Sequence, residues 1–232
     1  MQLIFDNLIA IIVAASLAVL LLTQQTSTRQ DTMERQSVYN AKTQALSFAE
    51  WLERDIVKLG ARFSADRNRF IYTPPTTRGG TPFTDRFEFF YNEGENSDGS
   101  VDRIAILYRL QRTDSVKVAV APDRYQPLYQ VLRFQGAGRW KGGNWVNAAG
   151  AQTTPPAYVR TTTHGSPGGL MSFYIEPRTT DGAAITDPAR AIDADYMHVQ
   201  FSVLPTLFPV HRARYINASG LSWASTFEIR PF

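Results

Sequence analysis

Apolar residues fill the chain from Leu8 to Leu22 almost without a break. After a polar stretch from Thr23 to Thr32 they return at Val38, Ala41, Ala45, Phe48, Leu52, Ile56, Leu59 and Phe63, in steps of 3, 4, 3, 4, 4, 3 and 4. Those steps trace one stripe of an α-helix. No glycine or proline precedes Gly60, and these are the residues that most strongly break helices. The pattern predicts one N-terminal helix over residues 1–62, roughly 90 Å long at about 1.5 Å per residue, with Gly60 as its stop. Residues 1–28 form its hydrophobic part and residues 29–62 an amphipathic part that lies on a head, with Trp51 beside the stripe. Thr23 to Thr32 holds four threonines and a serine, which compete for backbone hydrogen bonds. The helix either loosens there or continues as a polar segment. Glu50 with Arg54, and Asp55 with Lys58, have the spacing of surface ion pairs and read as solvated charges.

From residue 63 to 232 the pattern changes. Runs rich in Val, Ile, Tyr, Phe and Thr alternate with Gly, Pro, Asn and Asp turns, the signature of strands. The strand candidates are Arg86–Tyr91, Asp102–Gln111, Ser115–Ala121, Leu128–Phe134, Tyr158–Thr163, Leu170–Glu176, Tyr196–Leu204 and Trp223–Arg230. About eight short strands after one long helix predict an α+β fold with an antiparallel, β-rich head. Two long connectors stand out, Phe134 to Tyr158 and Pro177 to Asp195. No period of about 20–50 residues repeats, which excludes solenoids and propellers.

The apolar core, Leu8 to Leu22, has fifteen residues, whereas a bilayer crossing takes about 20, so its polar flanks must help. A cleaved secretory signal would have a basic start and a small-residue cleavage site; the first charged side chain is Asp6, and no such site follows Leu22. A buried core helix and a membrane-inserted helix are the other readings, and we take the last. Arg29, Arg35 and Lys42 follow the apolar core, against Asp31 and Glu34, and the positive-inside tendency alone would keep the head in the cytoplasm. The Thr/Asn/Gly-rich β composition argues for an exported head, and that reading is adopted.

Composition narrows the picture modestly. The 232 residues carry 24 basic and 21 acidic side chains, a net charge of +3, too small to argue for nucleic acid. Cysteine is absent, which excludes disulfides, thiolate metal sites and a cysteine nucleophile.

Candidate chemistry is sparse. The segment from Asn92 to Ser100, with Asp102, gathers Glu93, Glu95, Asp98 and Asp102, oxygen ligands of the kind calcium accepts. The spacing also fits a solvated hairpin turn with Asp98-Gly99 at its tip, and no cofactor is expected. Between Gly136 and Val146 the residues Arg139, Trp140, Lys141 and Trp145 lie among glycines. They form a surface-binding candidate able to stack sugars or nucleobases, or they pack on the head or a neighbour. His164, His198 and His211 have no metal spacing. Ser166 lacks the first glycine of a nucleophile elbow, and no enzyme is expected. Thr76-Thr77, Thr161 to Thr163 and the Asn217-Ala-Ser219 sequon are glycan candidates, although β-propensity alone accounts for the threonines.

The N-terminal layout resembles type IV pilins and pseudopilins. That family has a short basic leader ending in Gly, an aromatic or Met at the first mature position and usually Glu at the fifth. Here Met1 stands first, Phe5 fifth and Asp6 sixth. If numbering begins at the mature residue, Asp6 does part of that glutamate's work, pairing with a neighbour's α-amino group; otherwise it is an interfacial charge at the membrane edge. A second resemblance lies in the helix end Leu46 to Leu59, then Ile106-Leu-Tyr-Arg-Leu110, then Leu128-Tyr-Gln-Val-Leu-Arg133. It is similar to W-type minor pilins and J-type pseudopilins, with an acidic residue at the helix end, a central tyrosine and a strand closing on Leu-Arg.

The resemblance implies a structural subunit of an extracellular helical filament. It would polymerise with itself through Phe5, Asp6, Leu8, Ile12, Val13, Leu17, Leu20 and Leu21, with the two connectors as further grips. It implies residence in the inner membrane before assembly at the cell surface, and contact with other pilins and the assembly machinery. Two alternatives stand beside it: a minor component at the tip of a pilus or type II secretion pseudopilus, and a membrane-anchored extracellular binding module.

Overall fold

The computed structural model describes residues 2–62, 69–120, 123–161, 169–204 and 221–229, the side chains of 2–8, 116–120, 123 and 124 excepted. One helix, α1, runs from Gln2 to Ile56. The polar stretch is helical throughout. Its hydroxyls bond back to the preceding turn: Thr26 to the Leu22 carbonyl at 2.8 Å, Thr28 to that of Gln24 at 2.9 Å, and Thr32 to that of Thr28 at 2.8 Å. The competing donors are thus absorbed within the helix rather than opening it. Turns follow to Gly60, whose φ of +74° favours glycine. A Cβ there would also meet Arg69 Cδ at 2.8 Å. The Gly60 N–H donates to the Phe90 carbonyl at 3.0 Å and ties the helix end to the sheet.

Among the described residues eleven strands follow: β1 Phe70–Tyr72, β2 Thr76–Arg78, β3 Thr81–Phe83, β4 Arg86–Glu95, β5 Val101–Val120, β6 Asp123–Lys141, β7 Asn144–Val146, β8 Val159–Arg160, β9 Leu170–Arg178, β10 Tyr196–Val203 and β11 Leu221–Glu228. The main antiparallel sheet is ordered β1-β4-β5-β6-β9-β10-β11, and β2 pairs with β3. The second edge of β6 is shared by three partners: β7 at Arg139 to Lys141, β8 at Phe134 and Gln135, and β9 at Tyr129 alone. The α+β layout agrees with the sequence reading.

Two expectations are corrected. Asp102–Gln111 and Ser115–Ala121 are not separate strands; β5 passes through Arg112 to Asp114 with a bulge, paired along its length with β6. Polar residues there read as a turn, yet a bulge accommodates them without ending the ladder. The connector from Phe134 to Tyr158 is also largely structured, because β6 continues to Lys141 and turns back as β7. The other connector holds a short 3₁₀ helix, Pro188–Asp193, whose N-cap Asp187 accepts from the Ala189 N–H.

The stripe of α1 lies on one face of the sheet. Ala41, Ala45, Phe48, Leu52, Ile56 and Leu59 are buried, whereas Val38, the first position of the expected stripe, is exposed. Phe63 lies outside the described residues. Phe48 meets Phe201 edge-on at 4.9 Å, and Trp51 lies 5.3 Å from Tyr108. Alternation along β4 sends Phe87 and Phe89 into this core and Phe90 into a smaller cluster with Trp145 on the far face.

Candidate functional site

Three places emerge from this frame: the uncovered helix, a polar knot at its end, and a groove on the far face of the sheet.

The 18-residue window of highest hydropathy in α1 has none of its residues buried. Ile12, Val13, Leu17, Leu20 and Leu21 are 51–64% exposed. A core helix would be covered by its own chain, so that reading is overturned. The helix is long and apolar enough to cross a membrane. Phe5, Asp6 and Leu8 lie on the same helix, their side chains outside the described set.

At the other end Asp55 is 5% exposed, which corrects the reading of it as a solvated partner of Lys58. Its carboxylate accepts from Arg133 Nε at 2.6 Å and Nη2 at 3.3 Å, and from the Tyr108 hydroxyl at 2.9 Å. Arg133 Nη1 donates to Gln135 and Thr161, each at 3.1 Å. Burial, then the charge and hydrogen bond of Asp55, hold the Tyr108 hydroxyl well above its ordinary range, so it stays a donor. Lys58 instead sets its ammonium 5.5 Å from the centre of the Tyr91 ring. Tyr108 and Arg133 are the central tyrosine and strand-closing arginine of the segments that carry the second resemblance, and Asp55 is one of three acids, with Glu50 and Glu53, in its helix-end segment. Register brings them together: Tyr108 and Arg133 face each other across β5 and β6. Helical geometry supplies the third member, because Asp55 is three residues from Leu52 and four from Leu59. That position was a readable signal for a buried charge.

The four calcium candidates do not converge. They belong to the β4–β5 hairpin, where Gly99 has φ +75° and the Asn96 N–H donates to the Ser100 carbonyl at 2.7 Å. Asp98 accepts from the Ser100 amide at 2.9 Å and hydroxyl at 2.6 Å, which draws its carboxyl below the usual range. Asp102 accepts from Asn96 at 3.1 Å. Among the described residues no three His or carboxylate side chains gather as a metal site.

Arg139, Trp140, Lys141 and Trp145 form the β6–β7 hairpin rather than an irregular loop, and they separate by function. Trp145 is buried, 6.4 Å from Phe90 and 5.2 Å from Trp140 at 82°. It fits because position 138 is glycine; a Cβ there would stand 3.1 Å from the indole, and one at Gly136 would stand 3.1 Å from Pro156. Lys141 donates to the Asp98 carbonyl, and alternation along β6 turns Arg139 and Lys141 away from the face of Trp140. The cation that does meet Trp140 is Arg103, 4.1 Å from the ring centre and 2% exposed. Its Nε donates to Asn92 at 3.0 Å. Nothing in the linear order of the chain joins Arg103 to Trp140; the two-residue period of β5 was the only hint, placing it opposite Ile104 and Ile106.

Beside this hairpin a groove of about 400 Å³ reaches Phe70, Ile71 and Glu88. Glu88 accepts from the Tyr158 hydroxyl and pairs with Arg86 at 2.7 Å. Burial and Glu88 push the Tyr158 hydroxyl well up, so it too remains a donor.

The remaining candidates do not join a site. His198 Nδ1 lies 3.0 Å from the Thr226 hydroxyl across β10 and β11. Thr76 donates to Asp85 at 2.9 Å, and Thr161 is held by Arg133. His164, His211, Ser166, Thr162, Thr163, Asn217 and Ser219 lie outside the described residues. Compared with protein-family models, characterised proteins and solved structures, the chain matches none.

Proposed function

We propose that this chain is a pilin-like structural subunit that builds an extracellular helical filament through its N-terminal helix. One observation carries the reading. The same unbroken helix has an apolar half that its own head leaves bare and an amphipathic half fastened to that head by a buried stripe. Bare apolar surface of that extent needs lipid or other helices over it. Before assembly the inner membrane covers it; afterwards the helices of other copies do, so the apolar area stays out of water throughout. Head-to-tail repetition that does not close yields an open fibre. Heads then tile the outside at the cell surface, with the segment from Pro177 to Asp195 as a contact between them. Partners are copies of the chain, other pilins and the assembly machinery. No catalysis is assigned.

A second reading, a minor component at the tip of a pilus or secretion pseudopilus, is favoured by the meeting of Asp55, Tyr108 and Arg133, one from each of the three segments that carry the likeness to W-type and J-type proteins. Electron microscopy of sheared-cell material separates the two. Abundant fibres built of this chain, lost in Val13→Asp and Leu17→Asp, support the first. Absence of such fibres, with the chain recovered at low copy number beside a different major pilin, supports the second. A chain recovered only as a soluble monomer would sink both.

A further inference from the structure

We infer that the groove between the Trp140–Trp145 hairpin and strands β1 and β4 binds a neutral saccharide of one or two rings. The inference concerns the head alone and holds whether or not the chain polymerises.

The walls are aromatic. Trp140 remains partly exposed while Arg103 covers it from 4.1 Å and Trp145 meets it edge-on. Phe90 lies beneath Trp145. A pyranose is suited to such walls because its axial C–H bonds make apolar faces while its hydroxyls ring the edge. The rim supplies neutral partners for those hydroxyls: the amides of Asn144 and Gln152 and the hydroxyl of Thr153. The two amides are already joined, Gln152 Nε2 to Asn144 Oδ1 at 3.1 Å, so they are held in one relative orientation and still have donor and acceptor capacity to offer. A few well-placed polar groups on a mainly apolar wall is the usual make-up of a ligand pocket.

Charge decides against acidic ligands. Glu88 and Arg103 are the charged side chains among the described residues lining the groove, and both are engaged. Glu88 is held by Tyr158 and Arg86, and Arg103 by Asn92 and the Trp140 ring. A phosphate or uronate entering the groove would find Arg103 committed and a buried carboxylate nearby. A volume of about 400 Å³ lies at the small end of ligand pockets, roughly 300–1,000 Å³, which sets the one- or two-ring limit. The walls are also preformed. The glycines at 136 and 138 let Pro156 and Trp145 settle on β6, so little ordering remains for a ligand to impose.

The test uses the full chain in zwitterionic micelles that carry no sugar headgroup. Neutral disaccharides (cellobiose, maltose, di-N-acetylchitobiose) are titrated against digalacturonate and adenosine monophosphate, and binding is read by tryptophan fluorescence and calorimetry. Saturable binding of at least one neutral disaccharide is expected, with no saturation by the two acidic compounds. The double variant Asn144→Ala/Gln152→Ala changes only the rim and should weaken binding at least tenfold with an unchanged circular dichroism spectrum. Trp140→Leu should abolish it, and Trp223→Phe, on β11, should leave it intact. The inference is overturned if no neutral disaccharide saturates, if an acidic compound binds more tightly, or if the folded rim variant binds like the parent.

Discussion

The two halves of α1 invert the usual relation between hydrophobicity and burial. Residues 9–22 are the most apolar stretch of the chain, and every one of them is exposed. Residues 38–59 are far more polar, yet they place Phe48 and Leu52 at 0% exposure. The difference is one of pattern rather than content. A helix greasy on all sides can satisfy only one flank against a single sheet, so it suits a surround of lipid or like helices. A single stripe suits one sheet and leaves charges outward. The lower half is therefore fastened within one chain, and the upper half is left for what lies outside it.

The sharpest way to break the fastened half is Arg133→Ala. It strands the Asp55 carboxylate in the core, and losing one partner of a buried pair costs about 3–5 kcal/mol. Urea unfolding of the full chain in micelles should show that loss, whereas Asp55→Leu/Arg133→Met should recover most of it. Phe48→Ala empties a fully buried site and should cost roughly 3–5 kcal/mol as well, again without touching membrane insertion. Leu17→Asp does the reverse. A carboxylate at the middle of the apolar half opposes insertion by about 2.5–3.5 kcal/mol; membrane partitioning should fall while the near-ultraviolet spectrum of the head is unchanged. Equal losses of head stability from Leu17→Asp and Phe48→Ala would erase the distinction between the halves.

Smaller effects sharpen it. The Tyr108 hydroxyl titrates above its unfolded value, so its contribution is complete below about pH 10 and declines as pH rises past that value, because only the unfolded chain releases the proton there. Stability followed from pH 8 to 11 should fall less steeply in Tyr108→Phe, by no more than about 1.4 kcal/mol per pH unit. Smallest of all is Thr26→Ala at the border between the halves. Its hydroxyl is satisfied by the Leu22 carbonyl within the helix, and alanine is the better helix former, so helicity should rise slightly, by less than about 0.7 kcal/mol. A large loss of helicity would show that those threonines hold contacts beyond their own turn.

Much of this was legible in the chain. The steps between Ala41 and Leu59 fix the buried stripe, although Val38 is exposed and the helix ends at Ile56, six residues short of the expected bound and before Gly60; alternation locates β4, β9 and β10 to within a few residues. What escaped depended on neighbours distant in sequence. Arg112, Thr113 and Asp114 look like a turn until β6 is seen beside them. Asp55 sits beside the stripe in sequence, but its partners emerge only when the inward registers of Tyr108 and Arg133 meet on adjoining strands. The tryptophan segment shows its aromatics and glycines in the sequence, but not that Arg103, from the first arm of a hairpin, is the cation that covers Trp140. Periodicity reports which way a side chain faces; only pairing reports what it faces.

The absence of a joint in α1 has a mechanical consequence. Between Leu22 and Ala41 the rod is helical throughout, about 30 Å at its usual rise. Tension applied at its first turns would therefore arrive at the sheet as shear along a row of contacts strained together, not as a peel that opens them one at a time. The Asp55–Arg133 clasp sits at the far end of that row, where it resists slippage of the rod past the strands beneath it.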